Sequence, residues 1–169
     1  MKNDKIIGPK AYINLDKCRS NLVAIKKSVG DKKLLCVVKA NGYGHGSVQI
    51  AKSIANIKNV QFAVFSIDEA LALRKAKIKN EILVFSKLQK NNMEVAYKEN
   101  IILNLSSFDD VEHIESFYLK NKVSPKYHLK FDTGMTRLGF DLNDAESVYE
   151  SLSKPVSYTH LTLPTNTVV

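Results

Sequence analysis

Cysteine is scarce in this sequence, and long apolar runs are absent. Only Cys18 and Cys36 occur among the 169 residues, and their spacing matches no metal-binding or redox motif. No apolar run reaches the roughly 18 residues that suggest a membrane helix. The N-terminal residues also lack the apolar core and cleavage site of a signal peptide. We therefore expect a cytoplasmic protein whose two thiols are reduced.

Arginine is equally scarce, although the chain is strongly basic. The net charge of +8 comes from 22 lysines and three arginines, which are Arg19, Arg74 and Arg137. The densest basic run, RKAKIK at 74–79, contains no aromatic residue on which a base could stack. We expect no nucleic-acid partner. The charge suits a small anion such as a phosphate ester or a carboxylate.

The common nucleotide-binding signatures are missing, whereas a strand–helix alternation is present. No Gly-x-Gly-x-x-Gly follows the first apolar run, and the chain has no Walker-type lysine. Short apolar runs, typical of strands buried on both faces, alternate with amphipathic helical segments, which predicts parallel βα units. A barrel and an open doubly wound sheet both fit this alternation. The predicted strands are 11–15, 34–38, 62–66, 82–86, 101–105 and 127–131.

Length and composition predict an incomplete barrel with an unusual tail. A (β/α)8 TIM-type barrel takes about 250 residues, so we expect an α/β chain with about six βα units of such a parallel barrel. Residues 1–156 form this partial domain. No acidic residue follows Glu150, and four of the six threonines lie within 159–167. We interpret 157–169 as foreign to the domain, the alternative being an ordinary strand and loop.

Several helix boundaries can be predicted from capping residues. Asp16 is a candidate N-cap for the first helix, and Gly30 a candidate end. Ser47 is expected to open the second helix. Ser66 followed three residues later by Glu69 is a capping box that begins a further helix.

The stretch LLCVVKANGYGHG, at 34–46, carries the first candidate chemistry. Lys39 follows a buried strand directly, where active sites of barrels lie. Its amine can simply reach solvent. Alternatively, partial desolvation favours a neutral amine that can form a Schiff base. The alternate glycines let the loop pass close to a ligand and place the Tyr43 hydroxyl where it can reach a phosphate. We interpret His45 as a structural residue at a helix start.

A second candidate lies in DTGMTRLG at 132–139. Arg137 occupies a turn flanked by Gly134 and Gly139, just after a predicted strand. Its planar guanidinium can bind a carboxylate through two hydrogen bonds, which lysine cannot do. The alternative is an arginine in a surface turn.

Two motifs resemble a known family. VVKANGYGHG resembles the cofactor-lysine segment of the alanine racemases, and HLKFDTGMTRLGF at 128–140 is similar to a second signature of that family. YINLDKCRSNLVAIKK is similar to its opening strand and first helix. The resemblance covers about 10–150. It implies a pyridoxal-phosphate enzyme in which a barrel domain is followed by a β domain.

The resemblance also implies roles for individual residues. Lys39 would hold pyridoxal 5'-phosphate and act as one catalytic base, and Tyr43 would bind its phosphate. Arg137 would lie near the substrate carboxylate, and Lys130 would match a supporting lysine that is sometimes carbamylated. The second base would be a tyrosine from the partner subunit of a homodimer. The product, D-alanine, would supply peptidoglycan.

Two other functions are compatible with the sequence. A non-catalytic pyridoxal-phosphate carrier of the same barrel type and a Schiff-base aldolase without cofactor both fit parts of the pattern. The sequence does not separate alanine from serine as substrate. We expect the 169 residues alone to be inactive, because the second base and the distal phosphate contacts are missing. No metal site is expected.

Overall fold

The computed structural model describes residues 10–153, as an alternation of helices and short strands. The helices are α1 (Leu15–Val29), α2 (Lys39–Tyr43), α3 (Ser47–Ile54), α4 (Ile67–Lys75), α5 (Met93–Lys98), α6 (Phe108–Asn121) and α7 (Ala145–Leu152). The strands are β1 (Leu34–Val37), β2 (Val60–Val64), β3 (Ile82–Val84), β4 (Leu103–Leu105) and β5 (Tyr127–Leu129). Short 3-10 helices at Lys90–Asn92 and Leu142–Asp144 precede α5 and α7. The proposed tail, 157–169, lies outside the described residues.

The strands are parallel and follow one another in chain order. β1, β2 and β3 form one ladder, and β4 pairs with β5. The two ladders are joined between Leu83 and Ile102, where Val84 N donates to Ile102 O (2.9 Å) and Ile102 N donates to Ile82 O (2.8 Å). A doubly wound sheet would reverse its strand order at a switch point. The order here runs from β1 to β5 without reversal, as in a barrel.

The helices cover one face of the strands, which also indicates a barrel. Alternate strand residues, such as Phe62, Val64 and Ile82, belong to the main core together with buried residues of α3 to α7. The opposite strand face carries a small separate cluster of Ala63, Leu83 and Ile102 with Phe85 packed against it. A doubly wound sheet would have helices on both faces. The described residues therefore form part of a parallel (β/α) barrel. The face without helices also carries the polar residues Gln61, Asn104 and His128, so it is less apolar than predicted.

The first predicted strand is wrong. Residues 10–14 form no strand, and α1 begins at Leu15. Asn14 caps this helix because its side-chain oxygen accepts a hydrogen bond from Lys17 N (2.9 Å). Asp16, the predicted cap, lies inside the first turn. The residues described contain five strands, and not the six that the apolar runs suggested.

The other predicted boundaries agree with the structure. Gly30 ends α1 with φ 66°, and α3 starts at Ser47. At α4, Ser66 and Glu69 form the complete capping box. The five strands from β1 onward fall on the predicted apolar runs to within two residues.

Both cysteines are free thiols and half-buried. Burial raises the pKa of the Cys36 thiol to about 11, with a smaller contribution from the neighbouring Cys18. The reactive thiolate is therefore disfavoured at Cys36.

Candidate active site

Lys39 lies directly beyond the carboxyl end of β1. Val38 N still donates to Ala63 O of β2 (2.8 Å), and the Val38 side chain is only 3% exposed. Lys39 is the next residue and is half-buried. The buried, paired backbone before it is a rigid attachment for the lysine side chain. This is the edge at which barrels carry their active sites.

The residues that follow Lys39 form a left-handed turn. Ala40, Asn41, Gly42 and Tyr43 all have positive φ values of 51°, 53°, 63° and 55°. This conformation costs most L-residues about 1–2 kcal/mol, with glycine and asparagine the common exceptions, so Ala40 and Tyr43 are strained. Strain of this kind accumulates at functional sites, where the surrounding structure maintains it.

Backbone hydrogen bonds hold this turn together. Gly42 N donates to Val38 O (2.9 Å), and Gly44 N donates to Ala40 O (2.9 Å). The side-chain oxygen of Asn41 accepts from Ser47 N (3.1 Å) and so connects the turn to α3. At Gly42 a Cβ would lie 3.1 Å from Ser47 N, so both the positive φ and the close packing favour glycine.

Tyr43 and His45 differ in their surroundings. The Tyr43 side chain is 60% exposed, so its hydroxyl is accessible to a ligand. The His45 ring is packed back on the turn, where Nδ1 lies 3.0 Å from Gly42 O. This contact agrees with the structural interpretation of His45.

Arg137 lies in a turn that is stabilised by the carboxylate of Asp132. Asp132 Oδ1 accepts hydrogen bonds from Gly134 N (2.9 Å) and Thr136 N (3.0 Å). These backbone donors lower the pKa of Asp132, and the positive charge of Lys130 adds to the effect. The turn is closed by a parallel bridge between Phe131 and Phe140. Arg137 itself is exposed.

The three arginines have different surroundings. Arg19 donates to Ser53 O (2.7 Å) and Asn56 Oδ1 (2.5 Å), and therefore joins α1 to the end of α3. Arg74 donates to four carbonyl oxygens, at Ile78, Asn80, Glu99 and Asn100. Both are structural residues. Arg137 makes no hydrogen bond within residues 10–153, so its guanidinium is available to an anion.

Lys130 lies between β5 and the Arg137 turn. Its backbone N donates to Leu105 O (2.9 Å), and its carbonyl accepts from Phe140 N (2.8 Å). The residue is half-buried, and its charge acts on Asp132. The main chain of Lys130 is thus fixed on both sides, beside the turn that carries Arg137.

The fold brings these candidates to one edge as two separate groups. Lys39 and Tyr43 follow β1, whereas Lys130 and Arg137 follow β5. Because the strands are parallel, both groups lie at the carboxyl ends. Within residues 10–153 no hydrogen bond joins the two groups. An amine can form a Schiff base with an aldehyde, and a phenol and a guanidinium can donate hydrogen bonds to a phosphate and a carboxylate. This set fits pyridoxal phosphate and an amino acid.

The described residues contain neither a metal-binding cluster nor a membrane-spanning helix. No three His, Cys, Asp or Glu side chains between residues 10 and 153 are grouped as a metal site would require. No helix in that part of the chain is long and apolar enough to cross a membrane.

Comparison with known proteins identifies the family. The family model "Alanine racemase, N-terminal domain" matches residues 13–163. This chain belongs to the alanine racemase family. The alanine racemase of Fusobacterium nucleatum is 37% identical over 143 residues, which are 83% of this chain and 39% of that protein. The chain therefore spans about two fifths of the length of this curated relative.

Solved structures of alanine racemases have the same fold. The Clostridium difficile enzyme matches with a TM-score of 0.77 and 31% identity, over 83% of this chain and 38% of that one. The Bartonella henselae alanine racemase, solved with covalently bound pyridoxal phosphate, matches with a TM-score of 0.75 and 25% identity. The match covers 86% of this chain and 40% of that chain. The partial barrel expected from the sequence is confirmed.

Sequence reasoning missed part of the site. It identified Glu69 as a helix-capping residue only, yet one oxygen of this carboxylate contacts the backbone next to Lys39. It also did not predict the left-handed conformation of Ala40, Asn41 and Tyr43. The alternating glycines indicated that the backbone can turn here, but they did not indicate that the turn would be left-handed.

Proposed function

We propose that this chain is the N-terminal barrel part of a pyridoxal-phosphate-dependent alanine racemase that interconverts L-alanine and D-alanine. The observation that carries the proposal is the half-buried lysine at the carboxyl end of β1, held by a strained turn, in a chain of this family. The accessible Arg137 supports a racemase over a non-catalytic cofactor carrier, because a carrier needs no group for a substrate carboxylate.

Different residues of this chain would bind the cofactor and the substrate. The Lys39 amine would hold the cofactor covalently, and the Tyr43 hydroxyl would donate a hydrogen bond to its phosphate. Arg137 would lie at the substrate carboxylate, with Lys130 as a supporting residue beside its turn. The rigid main chain at Val38 and the bonds of the left-handed turn would keep the lysine in place.

Proton transfer requires a group on each face of the substrate carbon. Pyridoxal phosphate, when bound, withdraws electrons from the amino acid and so acidifies its Cα–H. The Lys39 amine would accept or return the proton on its own face. The opposite face would be served by a tyrosine from the β domain of a partner subunit, so we propose a homodimer for the longer protein.

The setting of the reaction is part of the same proposal. We place the protein in the cytoplasm, supplying D-alanine for cell-wall peptidoglycan. We also propose that residues 1–156 are native barrel and that 157–169 are foreign to it. The family match extends to residue 163 and so includes part of that tail.

Covalent capture of the cofactor tests the assignment of Lys39. The protein is incubated with pyridoxal phosphate, reduced with borohydride and digested, and the modified peptide is identified by mass spectrometry. We expect the label on Lys39, its loss in Lys39→Ala, and its retention in Lys75→Ala, which removes an exposed lysine of α4. A label on another lysine with Lys39 unmodified would contradict the proposal.

A further inference from the structure

Glu69 connects the segment after β1 to the segment after β2. Its Oε2 accepts hydrogen bonds from Phe65 N (2.7 Å) and Ser66 N (3.3 Å), where β2 leads into α4. Its Oε1 accepts a hydrogen bond from Ala40 N (2.6 Å), 29 residues away in sequence. Ala40 is the first left-handed residue and directly follows Lys39.

The contact with Ala40 goes beyond what helix capping requires. A capping box needs one acceptor for the backbone at the helix start, and Oε2 provides it. Oε1 has no such role, yet it makes the shorter contact. Ala40 N, which is exposed, has Glu69 Oε1 as its acceptor, whereas the bonds inside the turn are donated by Gly42, Gly44, His45 and Gly46. A carboxylate acceptor is stronger than a neutral one.

We propose that Glu69 is a positioning residue for Lys39: through the N–H of Ala40 it fixes the start of the left-handed turn, and so the direction in which the lysine leaves β1. This role rests on the proposed function of Lys39. Without the Oε1 contact, residue 40 can leave its strained conformation. The backbone on one side of Lys39 would then be free to rotate, while the side paired to Ala63 would stay fixed.

Two variants of Glu69 and one control separate positioning from capping. Glu69→Gln keeps the size but has one acceptor oxygen. We expect that oxygen to stay with the two donors Phe65 N and Ser66 N, so that Ala40 N loses its acceptor. Glu69→Asp keeps the charge at the helix start but is one methylene shorter. The control, Ser66→Ala, removes the hydroxyl that accepts from Glu69 N (3.3 Å) and leaves the contact with Ala40 intact. Ser66→Ala therefore weakens the cap alone.

The first measurement is hydrogen exchange of the Ala40 amide in the cofactor-free chain, followed by NMR. Loss of a hydrogen bond to a charged acceptor should accelerate this exchange about 10- to 100-fold in both Glu69 variants. Ser66→Ala should exchange at the wild-type rate. Circular dichroism at the same temperature establishes that each variant is folded.

The second measurement is the extent of borohydride-fixed cofactor on Lys39 at equal cofactor concentration. We expect about a tenfold lower extent in Glu69→Gln and Glu69→Asp and a wild-type extent in Ser66→Ala. If all three variants lose labelling in proportion to their thermal stability, Glu69 is a helix cap and the inference is overturned. Wild-type exchange at Ala40 in both Glu69 variants would overturn it as well.

The outcomes also separate this inference from the function on which it rests. If the wild-type chain labels a lysine other than Lys39, the proposed function fails and the positioning role fails with it. If wild type labels Lys39 and the Glu69 variants label it equally, the function stands and only the role of Glu69 is overturned.

Discussion

Replacing Gly139 by alanine should disrupt the turn that carries Arg137. Gly139 has φ 135°, and a Cβ there would lie 2.6 Å from Asp132 N, 2.8 Å from Phe131 C and 3.1 Å from Lys130 O. All three are backbone atoms, so no side-chain rotation can relieve the overlap. The segment 130–132 must move away from the segment 139–140.

That movement would disrupt the hydrogen bonds and ring contacts that join the two segments. Asp132 N donates to Phe140 O and Phe140 N donates to Lys130 O, both at 2.8 Å. Phe140 is 3% exposed, and its ring packs 5.6 Å from the ring of Phe131 and 5.5 Å from that of Phe108. Overpacking of this kind costs about 1–3 kcal/mol. The unfavourable φ adds a further penalty of about 1–3 kcal/mol.

Gly134 offers a matched control in the same turn. Its φ of 132° is nearly the same, but nothing lies within 4 Å of its Cβ position. Gly134→Ala therefore carries the dihedral penalty alone. We expect Gly139→Ala to be less stable than Gly134→Ala by about 2 kcal/mol, the middle of the overpacking range.

Urea unfolding of the 169-residue chain, followed by circular dichroism, measures this difference. The slope with urea concentration should stay constant across wild type and both variants, so that a change in midpoint reports stability. Equal midpoints for the two alanine variants would refute the reasoning, because the overlap at Gly139 would then be relieved without cost.

Three further predictions concern other residues. Arg74→Met should lower the free energy of unfolding by about 2–4 kcal/mol in urea titrations, because four carbonyl contacts are lost; the exposed Lys77→Met is the control and should be near neutral. Burial lowers the pKa of His128 from 6.5, against an opposing effect of Glu81. The unfolded chain therefore binds more protons between the lowered pKa of the folded state and about pH 6.5. Stability should fall as the pH drops through this window, and His128→Gln should reduce this fall. Arg137→Lys, in a protein extended to the length of its relatives, should lower kcat/KM about 10- to 100-fold without reducing cofactor labelling; an unchanged kcat/KM would make Arg137 an ordinary turn residue.

Most of the barrel could be predicted because local signals and tertiary packing agree. The apolar runs from 34–38 to 127–131 became strands, and the Ser66–Glu69 pair capped its helix. The exception is 11–15. Its apolar residues match a strand, but the Asn14 side chain satisfies a free N–H group at the start of α1, and the helix begins at Leu15.

The details of the site could be predicted less well because they depend on long-range contacts. Intrinsic preference disfavours the left-handed conformation for Ala40 and Tyr43, and it is the contact with Glu69 and the bonds around Gly42 that hold it. In the same way, the sequence alone does not show which of the three arginines form hydrogen bonds within the fold. The fold directs Arg19 and Arg74 to nearby oxygens and leaves Arg137 exposed.

Three of the carboxylates that follow strands of the barrel accept hydrogen bonds from backbone N–H groups. Glu69, after β2, accepts from Ala40 N. Asp110, after β4, accepts from Ser106 N (2.8 Å). Asp132, after β5, accepts within the Arg137 turn. Their negative charges are thus committed to shaping loops at the carboxyl ends of the strands.

The positive charges of Lys39 and Arg137, at the same edge of the strands, are not neutralised by ion pairs within the described residues. Within residues 10–153, the ion pairs join Lys33 to Glu81 and Lys98 to Glu94, and none involves Lys39 or the Arg137 turn. An edge with this charge attracts anions such as a phosphate and a carboxylate. Because Glu69, Asp110 and Asp132 already accept backbone hydrogen bonds, the proposed function would assign proton transfer on this face of a substrate to an amine and not to one of these three carboxylates. Under the proposed function that amine would belong to Lys39, because Lys39 lies directly beyond the carboxyl end of β1.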